Sequence, residues 1–500
     1  MMRRFLYIFT ILATVAACSD DDDFSASGNY VLTLPADTVR MDTVFSNTPS
    51  STYSFWVHNR GDKGIRISNT RLEHGNQSGF RVNVDGVYLD NANGSIAHDF
   101  EVRKDDSIRV FVEYTLRSTG KLEPQAVSDN LCFKLESGVE QKINLAAWAW
   151  DADVTDSLIV NSDMTLASSK PYVVRRGIRV AEGATFTVEG GTTIYFGANA
   201  GIDVYGRLVV DGAPGNEVVM RGERLDHMFD YLPYDRVSGQ WKGLHFYESS
   251  TDNIISYADI HSCKDAIVCD SAAIDGDMLR LDINHSTIHN CDGYGVKALN
   301  SNIAISNTQI SNTMGDCLAV YGGRCSVTYA TLAQFYPFDA RRGAALRFAN
   351  TYNGYDYPLT LLSCTNSIVT GYGADEMMGE RDKGNEELPF EYRFANCLLR
   401  TPAVSEDKEE YKFFTDVIFE SSEDEISGKQ HFANVDEDNL YYDFRLNDKS
   451  PAIGKAAPLA EFADDRLGTP RSADTPSVGC FETAVPSGDD TDSNRAVSKK

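Results

Sequence analysis

Asp265, Asp292 and Asp316 stand in three segments of similar make-up, Cys263-Lys-Asp265, Cys291-Asp292-Gly and Gly315-Asp316, with Lys264, Lys297, Arg280 and Arg324 as basic neighbours. Carboxylates that share one surface can hold a hard cation, which neutralises an acidic group on a ligand. A Lys or Arg beside them can then take the proton next to that group. Asp265, Asp292, Asp316 and Lys297 are therefore the candidate catalytic residues. Asp, Asn and Gly are also what tight turns demand, so the same residues read as turn formers. A second group is aromatic. Phe229, Tyr231, Tyr234, Trp241, Phe246 and Tyr247 fall within one short stretch. Amphipathic rings stack on sugar faces, and Tyr231, Tyr234 and Trp241 are the candidate ligand-binding residues; the alternative is that these rings pack against their own chain.

The elements that must position these residues repeat. Ile255-Ser-Tyr257-Ala-Asp-Ile260, Ile283-Asn-His285-Ser-Thr-Ile288, Ile305-Ser-Asn307-Thr-Gln-Ile310 and Val327-Thr-Tyr329-Ala-Thr-Leu332 align at starts 28, 22 and 22 residues apart. A recurrence near 22 fits one coil of a right-handed parallel β-helix, three short strands joined by turns, with an insertion in the longer interval. An antiparallel sandwich would need hairpin turn pairs between segments, and these do not recur. Upstream, Gly177-Ile-Arg-Val180, Gly183-Ala-Thr-Phe186-Thr-Val188 and Gly201-Ile202-Asp-Val204 keep the same logic, with Gly at corners. His285 falls where Tyr257, Asn307 and Tyr329 fall, which predicts a stacked corner position. His261 and His289 read the same way, as stacking or hydrogen-bonding residues. Cys263 and Cys291 are equivalent positions and are predicted to be buried free thiols.

These residues resemble the right-handed parallel β-helix proteins of Bacteroides-type bacteria. Further cues are Lys170-Pro171-Tyr172-Val173, Glu189-Gly190-Gly191-Thr192 and Gly239-Gln240-Trp241-Lys242-Gly243. Phe444-Arg445-Leu446, Ser450-Pro451-Ala452-Ile453, Asp465-x-x-Gly468-x-x-Arg471 and Gly479-Cys480-Phe481-Glu482 look like the closing module of such helices. The resemblance runs from about Asp156 to Glu482. It implies the fold but leaves the function open, since binding proteins, lyases and hydrolases share the coil. Lyases of this fold resemble one plan, acidic Ca²⁺ ligands beside a Lys or Arg base, and polyuronate hydrolases use clustered Asp.

The N-terminal part differs. Between residues 30 and 150, Thr52-Tyr-Ser-Phe-Trp-Val57 and Ser107-Ile-Arg-Val-Phe-Val112 alternate apolar with polar, the period of a half-buried strand. Several such strands in this length predict a β-sandwich, and Val57-His58-Asn59-Arg60-Gly61 resembles immunoglobulin-like spacer modules. Ahead of it, Arg3 and Arg4 precede an apolar run, residues 5–15, too short to span a bilayer. The run ends in Val15-Ala16-Ala17-Cys18, then Ser19 and four Asp. This resembles the lipobox and acidic export signal of surface lipoproteins, which implies cleavage before Cys18 and acylation of that residue. The expected division is a signal peptide at 1–17, an acidic tether at 18–28, an immunoglobulin-like sandwich at 29–152, a β-helix with closing module at 153–483 and a disordered tail at 484–500. Asp37-Thr-Val, Asp42-Thr-Val, Asp106-Ser-Ile, Asp156-Ser-Leu and Asp270-Ser-Ala resemble O-glycosylation acceptors of the same bacteria.

The formal net charge of −27 argues against nucleic acid or anionic lipid as partners through the general field. No Cys-x-x-Cys occurs, so no structural zinc site is expected, and no residue is singled out as a metal ligand. No cofactor is implied; Ca²⁺ is the one ion the acidic stretches 375–391 and 406–425 could take, without an EF-hand spacing. The reading adopted is an outer-membrane, lipid-anchored protein, facing the cell exterior, whose β-helix binds a neutral or mixed extracellular glycan without turnover. The alternatives are a polysaccharide lyase or glycoside hydrolase acting on a polyuronate, and a structural or adhesion rod.

Overall fold

The computed structural model describes residues 23–274, 276 and 278–483. The lipobox, Cys18 included, and the tail from 484 onward lie outside them. The chain divides into two compact units, at Asp151 and Ala152.

In the first unit a five-stranded sheet orders Thr38–Phe45, Glu140–Trp150, Gln125–Leu135, Ile65–Leu72 and Ile96–Val102. A four-stranded sheet orders Tyr53–His58, Ser107–Tyr114, Phe80–Val84 and Val87–Tyr88. The two alternating segments read from the sequence pair with each other, Tyr53 opposite Val112 and Val57 opposite Ile108. The inward rows, among them Val57, Ile67, Val82, Val110, Phe133 and Leu145, form one core. This is a β-sandwich.

The second unit is a 26-stranded sheet wound into a parallel β-helix. Its strands stack in three faces. The first face runs through Ile202–Val204, Leu244–Phe246, Ile267–Cys269 and the start of Val296–Ser306. The second runs through Asn253–Ser256, Leu281–Asn284 and the end of Val296–Ser306. The third runs through Ala258–His261, Thr287–Cys291, Gln309–Thr313 and Thr331–Gln334. The aligned sequence segments are in register. Ile255 lies opposite Ile283, Ile283 opposite Ile305 and Ile305 opposite Val327. Ile260, Ile288, Ile310 and Leu332 form the matching row on the third face, all fully buried. Alternation sends these side chains inward and their neighbours out, and stacking pairs every interior strand edge.

The corner between second and third faces is a ladder of left-handed residues: Tyr257 (φ 46°), His285 (47°), Asn307 (46°), Tyr329 (52°), Asn366 (53°) and Asn396 (52°). Asn tolerates this conformation; Tyr and His hold it at a cost. His285 stacks on Tyr257 with ring centroids 4.5 Å apart. The closing module lies along this ladder. Asp464 approaches His285 Nε2 at 3.3 Å. The Arg471 guanidinium donates to Asn307 at 2.8 Å and sits 3.8 Å over the Tyr329 ring. Tyr329 Oη and Asn366 Nδ2 both donate to the Ala457 carbonyl at 2.8 Å.

All nine cysteines of the described residues are buried and unbridged. Cys263 and Cys291 sulfurs lie 3.6 Å apart. Burial pushes the Cys269 thiol up to about 12, so such groups act as small apolar side chains.

Candidate functional site

The first face carries apolar-x-apolar triplets: Ile178-Arg-Val180, Ile202-Asp-Val204, Leu244-His-Phe246, Ile267-Val-Cys269 and Val296-Lys-Ala298. Their flanking residues are buried, so the middle residue of each points out. Pairing puts these middle residues in one row: Ile159, Arg179, Asp203, His245, Val268, Lys297, Ala319 and Arg347. Beside the row runs a floor of bare backbone at Gly177, Gly201 and Gly243. A Cβ on Gly243 would stand 1.7 Å from the Asp265 carbonyl, and its φ is 95°, so no other residue fits.

The row from Ile159 to Lys297 and the glycine floor line a cleft of about 600 Å³. Six basic side chains face it, Arg176, Arg179, Lys242, His245, Lys264 and Lys297, against the carboxylates Asp203 and Asp265. Lys242 and Lys264 are exposed, and no ion pair holds either among the described residues. Arg176 pairs with Asp156 at 2.5 Å. His245 lies 3.0 Å from Asp270, poorly aligned for a hydrogen bond. Lys297 Nζ donates to the Tyr352 hydroxyl at 3.0 Å. Along one edge Tyr205 and Tyr247 stack 4.1 Å apart and nearly coplanar, at 10°. The Arg179 guanidinium lies 4.5 Å over Tyr205, and the His245 ring 4.2 Å from Tyr247. The outcome is a cationic trough with an aromatic shelf on a protein of net charge −27.

The residues singled out from sequence are dispersed. Lys264, Asp265 and Lys297 line the cleft. Asp292 and Asp316 do not, and the three Asp form no ladder. With Ile260 opposite Ile288 and Ile288 opposite Ile310, the register carried through the turn sets Asp265 against Gly293 and Gly315. Asp292 and Asp316 sit one residue to either side of that row. Asp265 Oδ1 accepts the Tyr294 amide at 2.8 Å. Asp316 is buried, accepting the Ala344 amide and the Arg347 Nε at 2.8 Å each. Arg280 is buried and spends its guanidinium on the Phe246 and Tyr247 carbonyls, and Arg324 falls on the second face, opposite Asn302.

The aromatic cluster also divides. Trp241 is 0% exposed. It stacks on Phe196 at 4.4 Å and donates Nε1 to the His261 carbonyl at 2.7 Å. It is a core residue and cannot meet a ligand, because the chain re-enters the coil there and the ring follows the inward side. The Arg224 guanidinium covers one face of Tyr234 at 3.5 Å. Tyr231 is 59% exposed and stacks with Phe229 on the hairpin of the 223–240 insertion. The sequence reading does not single out Arg176, Arg179, Lys242, His245 or Tyr205; the triplet pattern is the signal that marks Arg179 and His245, which stand at triplet centres.

Residues 155–331 match the family model of the right-handed β-helix region. No curated protein matches the chain. Among solved structures 14 chains match. One is a family 123 glycoside hydrolase from Clostridium perfringens, described for glycolipid glycan hydrolysis, 7% identical over 24% of this chain and 26% of that one, with a TM-score of 0.17. This chain thus spans about a quarter of that enzyme. Another is PapD-like domain 7 of human CEP192, 10% identical over 26% of this chain and 90% of that one, again with a TM-score of 0.17. Likeness at that level transfers nothing from either protein. The coil pairing and the matched region together make the second unit a right-handed parallel β-helix.

Proposed function

We propose that the first-face cleft binds an extracellular glycan that carries acidic groups, without turnover. The observation that carries this reading is the row of basic side chains beside the Tyr205–Tyr247 shelf. Cations take the carboxylate or sulfate groups of such a chain, and the Tyr205–Tyr247 stack, its faces covered by Arg179 and His245, holds those cations in place and offers ring edges and hydroxyls. A net negative protein repels a polyanion at long range, but that field is screened beyond about 8 Å, and the local charge decides at contact. The sequence alone favours a neutral or mixed glycan; the cations gathered here shift the choice to acidic chains. Hydrolysis needs two carboxyl groups flanking one bond. Asp265 is committed to the Tyr294 amide, and Asp203 faces the Tyr247 hydroxyl at 3.4 Å, which supports binding over cleavage.

The test is a polysaccharide panel with acidic and neutral members, scored for retention and for release of unsaturated ends. Acidic polymers are expected to be retained at low salt. Lys242→Glu with Lys264→Glu should weaken retention about tenfold, two exposed charges at roughly 0.5–1 kcal/mol each. Retention of neutral polymers alone, or of none, overturns the proposal, and release of unsaturated ends would make the protein a lyase.

We further propose that Cys18 carries a lipid that holds the protein at the outer face of the outer membrane, where such polymers are met. The lipobox-like Val15-Ala16-Ala17-Cys18 and the Asp run after it support this. Cys18→Ala is expected to abolish fatty-acid labelling; a labelled variant would refute the anchor.

A further inference from the structure

We infer that Asp259, His261 and His289 form a binding site for one divalent transition-metal ion of the zinc class, apart from the first-face cleft. The third face brings them together. Asp259 and His261 flank the inward Ile260 on one strand, and His261 lies opposite His289 on the next. His261 Nδ1 is 2.8 Å and His289 Nε2 3.1 Å from the same oxygen, Asp259 Oδ1. All three ligating atoms lie within 4.8 Å of one another. Ligands at about 2.0–2.1 Å from a tetrahedral zinc stand roughly 3.3 Å apart; the two imidazoles stack with centroids 4.8 Å apart and planes at 26°, so one ring turns to bring both lone pairs onto an ion.

A second, independent arrangement points the same way. The 223–240 insertion folds over this face and delivers Asp235, whose Oδ1 is 2.9 Å from His261 Nε2. Arg221 holds the same Asp235 oxygen at 2.5 Å, and Ser262 Oγ donates to the Asp235 carbonyl. Each ring nitrogen of His261 faces a carboxylate, Nδ1 toward Asp259 and Nε2 toward Asp235; an ion would take the place of the Nδ1 proton while Asp235 keeps the Nε2–H. A carboxylate that fixes the tautomer of a histidine from behind is how metal-ligating imidazoles are oriented. His261 is buried, with its side chain 7% exposed, while Asp259 at 33% and His289 at 24% leave the front open to an ion and to water. Two imidazoles with one carboxylate suit Zn²⁺, Co²⁺ or Ni²⁺; Ca²⁺ and Mg²⁺ prefer all-oxygen shells.

The experiment uses the full soluble chain from residue 19, without a histidine tag and stripped with chelator. Co²⁺ titration should develop visible d–d absorption that saturates at one equivalent and is displaced by Zn²⁺. His289→Ala and Asp259→Asn should each lower the affinity at least 100-fold. Asp235→Asn should keep the one-to-one stoichiometry and weaken binding 10–100-fold, as loss of an orienting partner does. Circular dichroism of each variant without metal checks the fold, and His289→Gln replaces His289→Ala if the latter misfolds. Absence of a saturable band, or equal affinity in wild type and a folded His289 variant, overturns the site.

Discussion

Ile288→Asp is expected to leave no folded β-helix around the third-face strand Thr287–Cys291. Ile288 is fully buried between Ile260 and Ile310 in a row continuous along the coil axis. No described cation lines that row to accept a carboxylate, and burying an unpaired charge costs several kcal/mol or forces the strand out. Because each coil pairs only with its neighbours, the damage spreads to the strands on both sides. Ile288→Ala is expected to be milder, about 2–5 kcal/mol from lost burial and the cavity left behind. Urea unfolding followed by circular dichroism separates the two, and limited proteolysis reports the opened coils. A soluble Ile288→Asp protein with wild-type protection would mean that this side chain meets water.

Trp241→Ala is expected to destabilise the β-helix by about 3–5 kcal/mol, the range for a buried large aromatic. The ring fills the core against Phe196 and ties the chain emerging from the 223–240 insertion to the His261 carbonyl. Trp241→Phe keeps the stack and loses the indole donor, so about 1–2 kcal/mol is expected. Glycan retention by folded Trp241→Phe should match wild type. A drop in retention without a drop in stability would return Trp241 to a ligand surface and contradict its place in the core. The same unfolding curves decide both substitutions.

The aligned segments made the coil legible because two inward rows, on the second and third faces, recur with a fixed spacing between 283 and 332. Period and burial are the same fact there: Ile283, Ile305 and Val327 must all reach one axis. The first face was less legible. Its row passes from Asp203 to His245 across the 223–240 insertion and from Val268 to Lys297 across a longer turn, so no constant spacing links its members. What persists is the apolar-x-apolar triplet, a local rule that survives insertions. The Asp residues misled for a related reason. Turn composition is alike from coil to coil, but turn registers differ by a residue, and one residue separates the corner facing Gly293 from the buried site that Asp316 occupies. Trp241 misled because ring type says nothing about side, and the insertion resets which parity faces inward. The pairing of Asp259 with His289 was invisible without the third-face register, and Asp235 reaches them only through the fold of the insertion.

The strap of closing module along the left-handed corner changes how this molecule comes apart and how it is completed. A solenoid whose coils touch only their neighbours can fray coil by coil. Here Asp464 and Arg466 reach His285 and Thr287, 179 positions earlier in the chain, and Arg471, Ala457 and Gly479 engage Asn307, Tyr329 and Asn366. Four successive coils are thus tied laterally by one segment, and they open as a single cooperative block. The ties span up to 179 positions, separations at which contacts are slow to close. For a chain that emerges from its N-terminus, the coils between 257 and 366 wait, with their strained corner residues uncovered, until the final stretch arrives. Maturity of the second unit is therefore decided at its C-terminal end.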